Sequence, residues 1–159
     1  MSFDKAIKHL EKYLLADRFI EFPISTATVK EAANVLGCSE GEIAKSLAFF
    51  VDKKPILIVT SGDQKIDNAK YKQEFSTKAK MIPFSEVNNY IGHQAGGVCP
   101  FGINDDVSVY LDESLKKHII VYPACGSHNS VVKLSIEELE ETSNYLKWVD
   151  VCKKNEVNI

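Results

Sequence analysis

The octapeptide Ala95-Gly96-Gly97-Val98-Cys99-Pro100-Phe101-Gly102 constrains this chain more than any other stretch. It holds three of the eight glycines and one of the five prolines. Glycine weakens helices and strands through its backbone freedom, and proline fixes its own φ and lacks a donor. Pro100 also pushes Cys99 toward an extended backbone. The octapeptide is therefore a stiff loop, not the interior of a helix or a central strand. Gly96 and Gly97 permit positive φ and close approach of another group, and Gly102 allows a second sharp turn. Such a loop can aim several amides at one point, as an anion or a carbonyl oxygen requires. A tight turn joining a helix to a strand leaves the same signature, and the residues alone keep both readings open. No lysine follows the glycines in Walker fashion and no GxGxxG is present, which excludes a nucleotide cradle of those kinds.

The flanking elements are short and alternate. Apolar residues at helical spacing predict an amphipathic helix over 3–16, and 19–24 reads as a strand. Thr28-Val29-Lys30-Glu31 is a capping box whose helix stops at Gly37. Ser39-Glu40-Gly41-Glu42 is a second, opening a short helix that contains Lys45 or ends near it. Leu47–Val51 and Pro55–Thr60 flank a polar turn and predict a hairpin. Asp67 caps a helix to about Phe75, Lys80–Pro83 reads as a brief strand, and Ser85 caps a helix ending near Gly92. Strands follow at 107–111, 119–122 and 131–134, then a helix capped by Ser135 and Glu138, then a strand over 145–151. The βαβ spacing is irregular, so the expectation is a mixed α+β sheet rather than a doubly wound parallel one. No linker or repeat interrupts the chain, and 1–159 is expected to form a single domain.

Charge and cysteines narrow the classes further. The net charge of −3 does not mark a nucleic-acid binder, but residues 45–80 hold eight lysines against four acids. This positive island could serve a phosphate backbone or simply be solvated lysine. Arg18 is the only arginine, so bidentate phosphate clamps are nearly lacking. Cys38, Cys99, Cys125 and Cys152 form no CxxC pair and read as reduced thiols. No metal is expected, although Cys99, Cys125, His93 and His128 are the residues a fold could gather. The longest apolar runs are too short to cross a bilayer, and the first residues lack a signal-peptide pattern, so the expected location is the cytoplasm, with no membrane partner.

Ile43-Ala44-Lys45-Ser46-Leu47, Ser61-Gly62-Asp63, Gly96 to Gly102, Asp112-Glu113-Ser114-Leu115, Ala124-Cys125-Gly126-Ser127-His128 and Leu134-Ser135 occur in that order. Together they resemble the YbaK/prolyl-tRNA editing family of aminoacyl-tRNA deacylases, over roughly residues 25–143. The resemblance implies a barrel-like mixed sheet flanked by helices. It implies a hydrolase that needs no metal or cofactor and removes a wrong amino acid, such as alanine or cysteine, from the proline tRNA. Aminoacyl-tRNA is the implied partner, with prolyl-tRNA synthetase as a second candidate. It also implies a functional lysine at Lys45, the Gly-x-x-x-Pro loop at Gly96–Pro100, and a histidine matched by His128.

Ester hydrolysis needs a placed water, donors for the oxyanion and a group to steer the leaving ribose. The catalytic set expected is Lys45, Gly96, Gly97, Val98, Cys99, Pro100 and His128. Loop amides from Gly97 to Phe101 supply donors, and Lys45 holds the terminal phosphate or ribose rather than acting as base. Phe49, Phe101, Gly102 and Ser127 are the expected substrate-binding residues. Phe49, Val98, Cys99 and Phe101 are expected to wall a pocket that admits a residue smaller than proline, and Asp112 and Glu113 to open a helix without a catalytic task. Two other readings stand beside this one: a non-catalytic module of the same fold that binds tRNA or a synthetase, and a thiol enzyme built on Cys99 and His128.

Overall fold

The computed structural model describes residues 2–153; Met1 and 154–159, which the single-domain expectation includes, lie outside the described residues. Five helices, α1 (Ser2–Glu11), α2 (Val29–Leu36), α3 (Asn68–Phe75), α4 (Val87–Ile91) and α5 (Ile136–Thr142), flank the sheet structure. The strands are β1 (Phe19–Glu21), β2 (Ile43–Val51), β3 (Lys54–Ser61), β4 (Ser108–Asp112), β5 (Ile120–Pro123), β6 (Ser130–Val132), β7 (Leu134–Ser135) and β8 (Lys147–Val149). Six of them curl into a half-barrel of order β7-β5-β2-β3-β4-β8, and β1 pairs with β6 in a separate ribbon. The sheet is mixed: β2–β3 and β5–β7 are antiparallel, while β2–β5, β3–β4 and β4–β8 are parallel.

The β2–β3 hairpin is the spine. Its two-residue turn, Asp52-Lys53, has φ of 49° and 67°, the twist that lets antiparallel strands continue without splaying. Pro55 to Ser61 are all buried, as a central strand covered on both faces requires. One face packs Leu57, Val59, Val109 and Leu111 against Leu10, Ile91 and Leu139 of α1, α4 and α5. The other packs Phe49, Ile56 and Ile58 against Tyr71 of α3. The caps are as the sequence predicts: Thr28, Asp67 and Ser135 each accept from a backbone amide three residues on. Several expectations change. Lys80–Pro83 keeps only a single bridge, at Met81, and Ser85 lies inside a 3-10 turn (Phe84–Glu86) and does not cap α4. Helix α1 ends at Glu11 rather than near residue 16, because Leu14 has φ of 62° and points to solvent. The 131–134 run splits between β6 and β7. The second capping box, Ser39–Glu42, opens only a single 3-10 turn, so Lys45 stands in β2 and not in a helix.

Two histidines, half-buried His9 and buried His93, fasten the segment after the glycine-proline loop. His9 donates from Nε2 to the Thr142 carbonyl (2.6 Å) and accepts at Nδ1 from the Gly102 amide (3.1 Å). His93 donates from Nε2 to the Phe101 carbonyl (2.5 Å), and its Nδ1 is buried without a partner among the described residues. Burial, the leading cause in each, holds both imidazoles below their ordinary pKa. The unfolded chain therefore binds protons first as pH falls. Stability is full above about pH 6.5 and drains as pH drops through the lowered folded values. The urea midpoint is expected to be lower at pH 5 than at pH 7.5, and a His93→Gln variant to show a shallower fall over that window.

Candidate active site

The site begins with a gap in a ladder. Ala48 accepts from the Ile82 amide (3.0 Å) and Phe50 donates to the Lys80 carbonyl (2.9 Å). Alternate residues of β2 therefore turn their peptide groups to the outer edge, away from β3. At the other end β5 pairs only with Ile43 and Ala44. Ser46 lies between the two anchored stretches, and its peptide has no partner on that edge among the described residues. By strand alternation its side chain shares a face with those of Ala44 and Ala48. Its Oγ is buried and unpartnered, a state that in native proteins asks for an explanation.

A hollow of about 500 Å³ opens at this gap. Val29 and Ala32 of α2 wall it on one side of β2, and Val87, Val98 and Gly96 on the other; Met81, Ile82, Pro83 and Phe84 also line it. Its lining is mostly apolar. Lys45 is the only cation on it, and no carboxylate lines it among the described residues. The Lys45 ammonium donates to the carbonyl of Gln64, a residue outside the lining. Burial, the leading cause, lowers the Lys45 pKa, and Cys152 and Asp63 nearby act the other way.

The glycine loop reaches the hollow through Ala95, Gly96 and Val98. Gly96 has φ of 93°, a region that suits glycine. Gly97 is held by proximity. A Cβ there would stand 2.5 Å from the Ser127 amide nitrogen and 2.6 Å from the Gly126 carbonyl carbon. Its own amide donates to Gln94 (3.0 Å) and its carbonyl accepts from Gly126 (2.9 Å). The amides of Gly96 and Val98 have no protein partner among the described residues. The loop thus brings two uncommitted donors to an apolar wall.

Other expected residues fall elsewhere. Phe49 does not line the hollow: it packs with Tyr71 (5.1 Å between centroids) on the odd-numbered face of β2, the face along which the Lys45 side chain also leaves the strand on its way to Gln64. Phe101 is buried against His9 (5.7 Å), and the Gly102 amide is taken by that same histidine. Both anchor the loop to α1. Cys99 is fully buried beneath the loop, its Sγ 3.5 Å from His93 Nε2. Burial raises its pKa well above the ordinary thiol value. A protonated, inaccessible thiol is not a nucleophile, which removes the thiol-enzyme reading and takes Cys99 off the pocket wall. Pro100 is buried as well. His128 is exposed in a neighbouring cleft with Ser127, Gln94 and Lys5, separated from the hollow by the Ala95–Gly96 ridge. Ser127 Oγ bonds to Ser130 Oγ (2.5 Å) and holds its own turn.

Two constellations that resemble catalytic ones are structural. Ser61 Oγ lies near the Gly41 carbonyl (2.7 Å), Asp63 (2.9 Å) and His118 Nε2 (3.0 Å). A hydrolytic triad places histidine between serine and acid; here the fully buried serine is in the middle. Asp112 takes the amides of Ser114 and Val151 (each 2.9 Å), leaving it no catalytic task.

Sequence reasoning missed Ser46, Val29, Ala32 and Phe84. The signal for the first was available: Ala44-x-Ser46-x-Ala48 places small residues at alternate positions of an otherwise bulky strand, which leaves a void above one face.

The aminoacyl-tRNA editing domain pattern matches residues 24–142. The uncharacterised protein YwhH of Bacillus subtilis (strain 168) is 47% identical over 154 residues, covering 96% of this chain and 98% of that protein. A proline–tRNA ligase of Bacillus cytotoxicus (strain DSM 22905 / CIP 110041 / 391-98 / NVH 391-98) is 25% identical over 126 residues; the match takes in 79% of this chain and only 20% of the ligase. Among solved structures, a candidate trans-editing enzyme for prolyl tRNA synthetase superposes with a TM-score of 0.86 at 29% identity, covering 96% of this chain and 98% of that one.

Proposed function

Because the chain belongs to the aminoacyl-tRNA editing domain family, we propose that it is a hydrolase acting in trans on the ester of a mischarged tRNA, the proline tRNA carrying alanine or cysteine. One observation carries this reading: a mostly apolar hollow whose lining includes one lysine, a serine with an unpartnered hydroxyl, Thr26, Thr28, Tyr122 and a loop with two uncommitted amides.

In this reading the side chain of the wrong amino acid enters among Val29, Ala32, Ala44 and Ala48. The amides of Gly96 and Val98 meet the ester carbonyl as it gains charge; a water adds to it, the acyl–ribose C–O bond breaks, and the water's proton leaves with the ribose oxygen as its hydroxyl. Fixed donors in a water-poor site stabilise such charge without reorganising. The Ser46 hydroxyl and peptide bond the aminoacyl group across the ladder gap. Lys45 exchanges the Gln64 carbonyl for the ribose or terminal phosphate of the RNA. Size is a weak discriminator, about 1–3 kcal/mol per methylene in an apolar pocket, and a second hydrolytic sieve after charging is the chemical answer to that weakness. His128, across the ridge, orients the RNA end rather than the reacting ester.

The test is a panel of tRNAs, each charged with one amino acid and incubated with the protein at equal concentration. Alanyl- and cysteinyl-tRNA of the proline acceptor are expected to lose their amino acid well above the spontaneous rate, and prolyl-tRNA to survive. Binding across the panel with no hydrolysis anywhere would instead support the non-catalytic module.

A further inference from the structure

The mouth of the hollow carries a feature that ester chemistry leaves unused. Phe84 is 81% exposed and Met81 beside it 58%, yet both line the hollow. Scattered exposed apolar residues are ordinary. Here two large ones lie together on the lip of a cavity, with Pro83 between them and the buried Ile82. Pro83 has φ of −55° and ψ of 141°, so the backbone entering Phe84 is fixed in φ by its ring. Among the described residues Phe84 is in no ring pair, and most of its surface is exposed.

The same chain segment leads to a basic cleft. Lys53, Lys78 and Lys80 line it with Phe50 and Tyr90 and one acid, Asp52. Lys80 holds its ammonium 5.9 Å above the Phe50 ring. From Thr77 to Phe84 the surface thus runs from cations to an uncovered aromatic at the hollow's entrance. This is the order in which a single-stranded RNA end presents its groups: phosphates behind, the unpaired terminal base next, the ester foremost. Stacking platforms beside basic grooves are how single strands are held without sequence readout.

We propose that Phe84 is a stacking platform for the unpaired terminal nucleobase of the charged RNA, setting the depth to which the ester enters. This rests on the deacylase reading. Its partner is RNA; a protein docked on the same lip is the competing outcome.

The test is a cycle between protein and substrate. Phe84→Ala is compared with wild type on charged tRNA and on the same RNA with its terminal base removed. On intact RNA the variant is expected to raise KM about tenfold or more with kcat changed far less. On the abasic RNA the wild type should show the same loss, and the variant no further one. Phe84→Trp should restore KM, while Phe84→Leu, which keeps apolar area without a ring, should not. Equal losses for the variant on both RNAs would overturn the proposal. So would a loss that appears only when a synthetase is added, which would assign the lip to a protein partner. A wild type with no turnover on any charged RNA fails the deacylase reading itself; turnover without coupling fails the stacking proposal alone.

Discussion

Deacylation by the Lys45→Ala variant is expected to run about a hundredfold slower in kcat/KM than wild type, the scale on which single transition-state contacts act. Among the described residues Lys45 is the only cationic residue lining the hollow. Once it exchanges the Gln64 carbonyl for substrate, a partly desolvated ammonium acts on a nearby phosphate or developing oxyanion more strongly than it does in water, although Asp63 and Lys65 stand near it. The fold should survive, because the lost contact is one charge-assisted hydrogen bond to the Gln64 carbonyl, worth about 1.5–3 kcal/mol. A cooperative thermal melt, measured beside the rate, separates a chemical loss from unfolding. A variant with full activity would reduce Lys45 to a tether for the loop at Gln64 and return the ester's stabilisation to the loop amides alone. Lys45→Arg tests shape: a planar fork reaches neither the Gln64 carbonyl nor a single phosphate oxygen as an ammonium does, so only partial recovery is expected.

Gly97→Ala is expected to abolish activity and destabilise the protein by about 3 kcal/mol, near the top of the usual overpacking range. For a domain of this size that is a fall in Tm of roughly 6–12 °C. The added methyl would meet the Ser127 nitrogen at 2.5 Å, the Gly126 carbonyl carbon at 2.6 Å and Ser127 Cα at 2.8 Å. All three are backbone, and none can rotate aside. The loop and the 126–127 turn must separate, carrying the Gly96 and Val98 amides off the wall. Gly37→Ala is the control. Its backbone is left-handed at φ of 70°, but open space surrounds it, so strain of about 1 kcal/mol with unchanged hydrolysis is expected. A Gly97→Ala protein as active and stable as wild type would mean that the contact between the two loops does not set the donors.

Local chemistry was the legible part. The Thr28 cap, the capping box at Ser135, the Asp67 cap and the Asp52-Lys53 turn act through neighbours a few residues away, and each can be read where it stands. The mixed sheet followed from the irregular spacing of elements. Which strand lies beside which did not, since β5 lies next to β2 across some seventy residues with no local signal. Phe49 was misplaced for a related reason. Alternation along Ile43 to Val51 puts Phe49 on the face of Lys45 and Ser46 on that of Ala44 and Ala48, but which face meets the hollow depends on the strands and helices packed around it. The octapeptide was recognised as stiff, but its two halves serve different ends. Gly96 and Val98 face the hollow, whereas Cys99 to Gly102 tie the loop to α1 and the core. That division depends on His9, some ninety residues earlier, and no spacing rule reports it.

The interrupted ladder at Ser46 also bears on solubility. Unpaired strand edges invite other chains to zip on and seed aggregates. Here the free stretch is bounded on one side by β5 and on the other by the Met81 bridge to Phe49, and it sits inside a cavity rather than on a flat rim. An intruding strand needs several consecutive peptides to gain a foothold; this notch offers one. The protein can therefore leave backbone groups ready for a small guest without advertising them to its own copies.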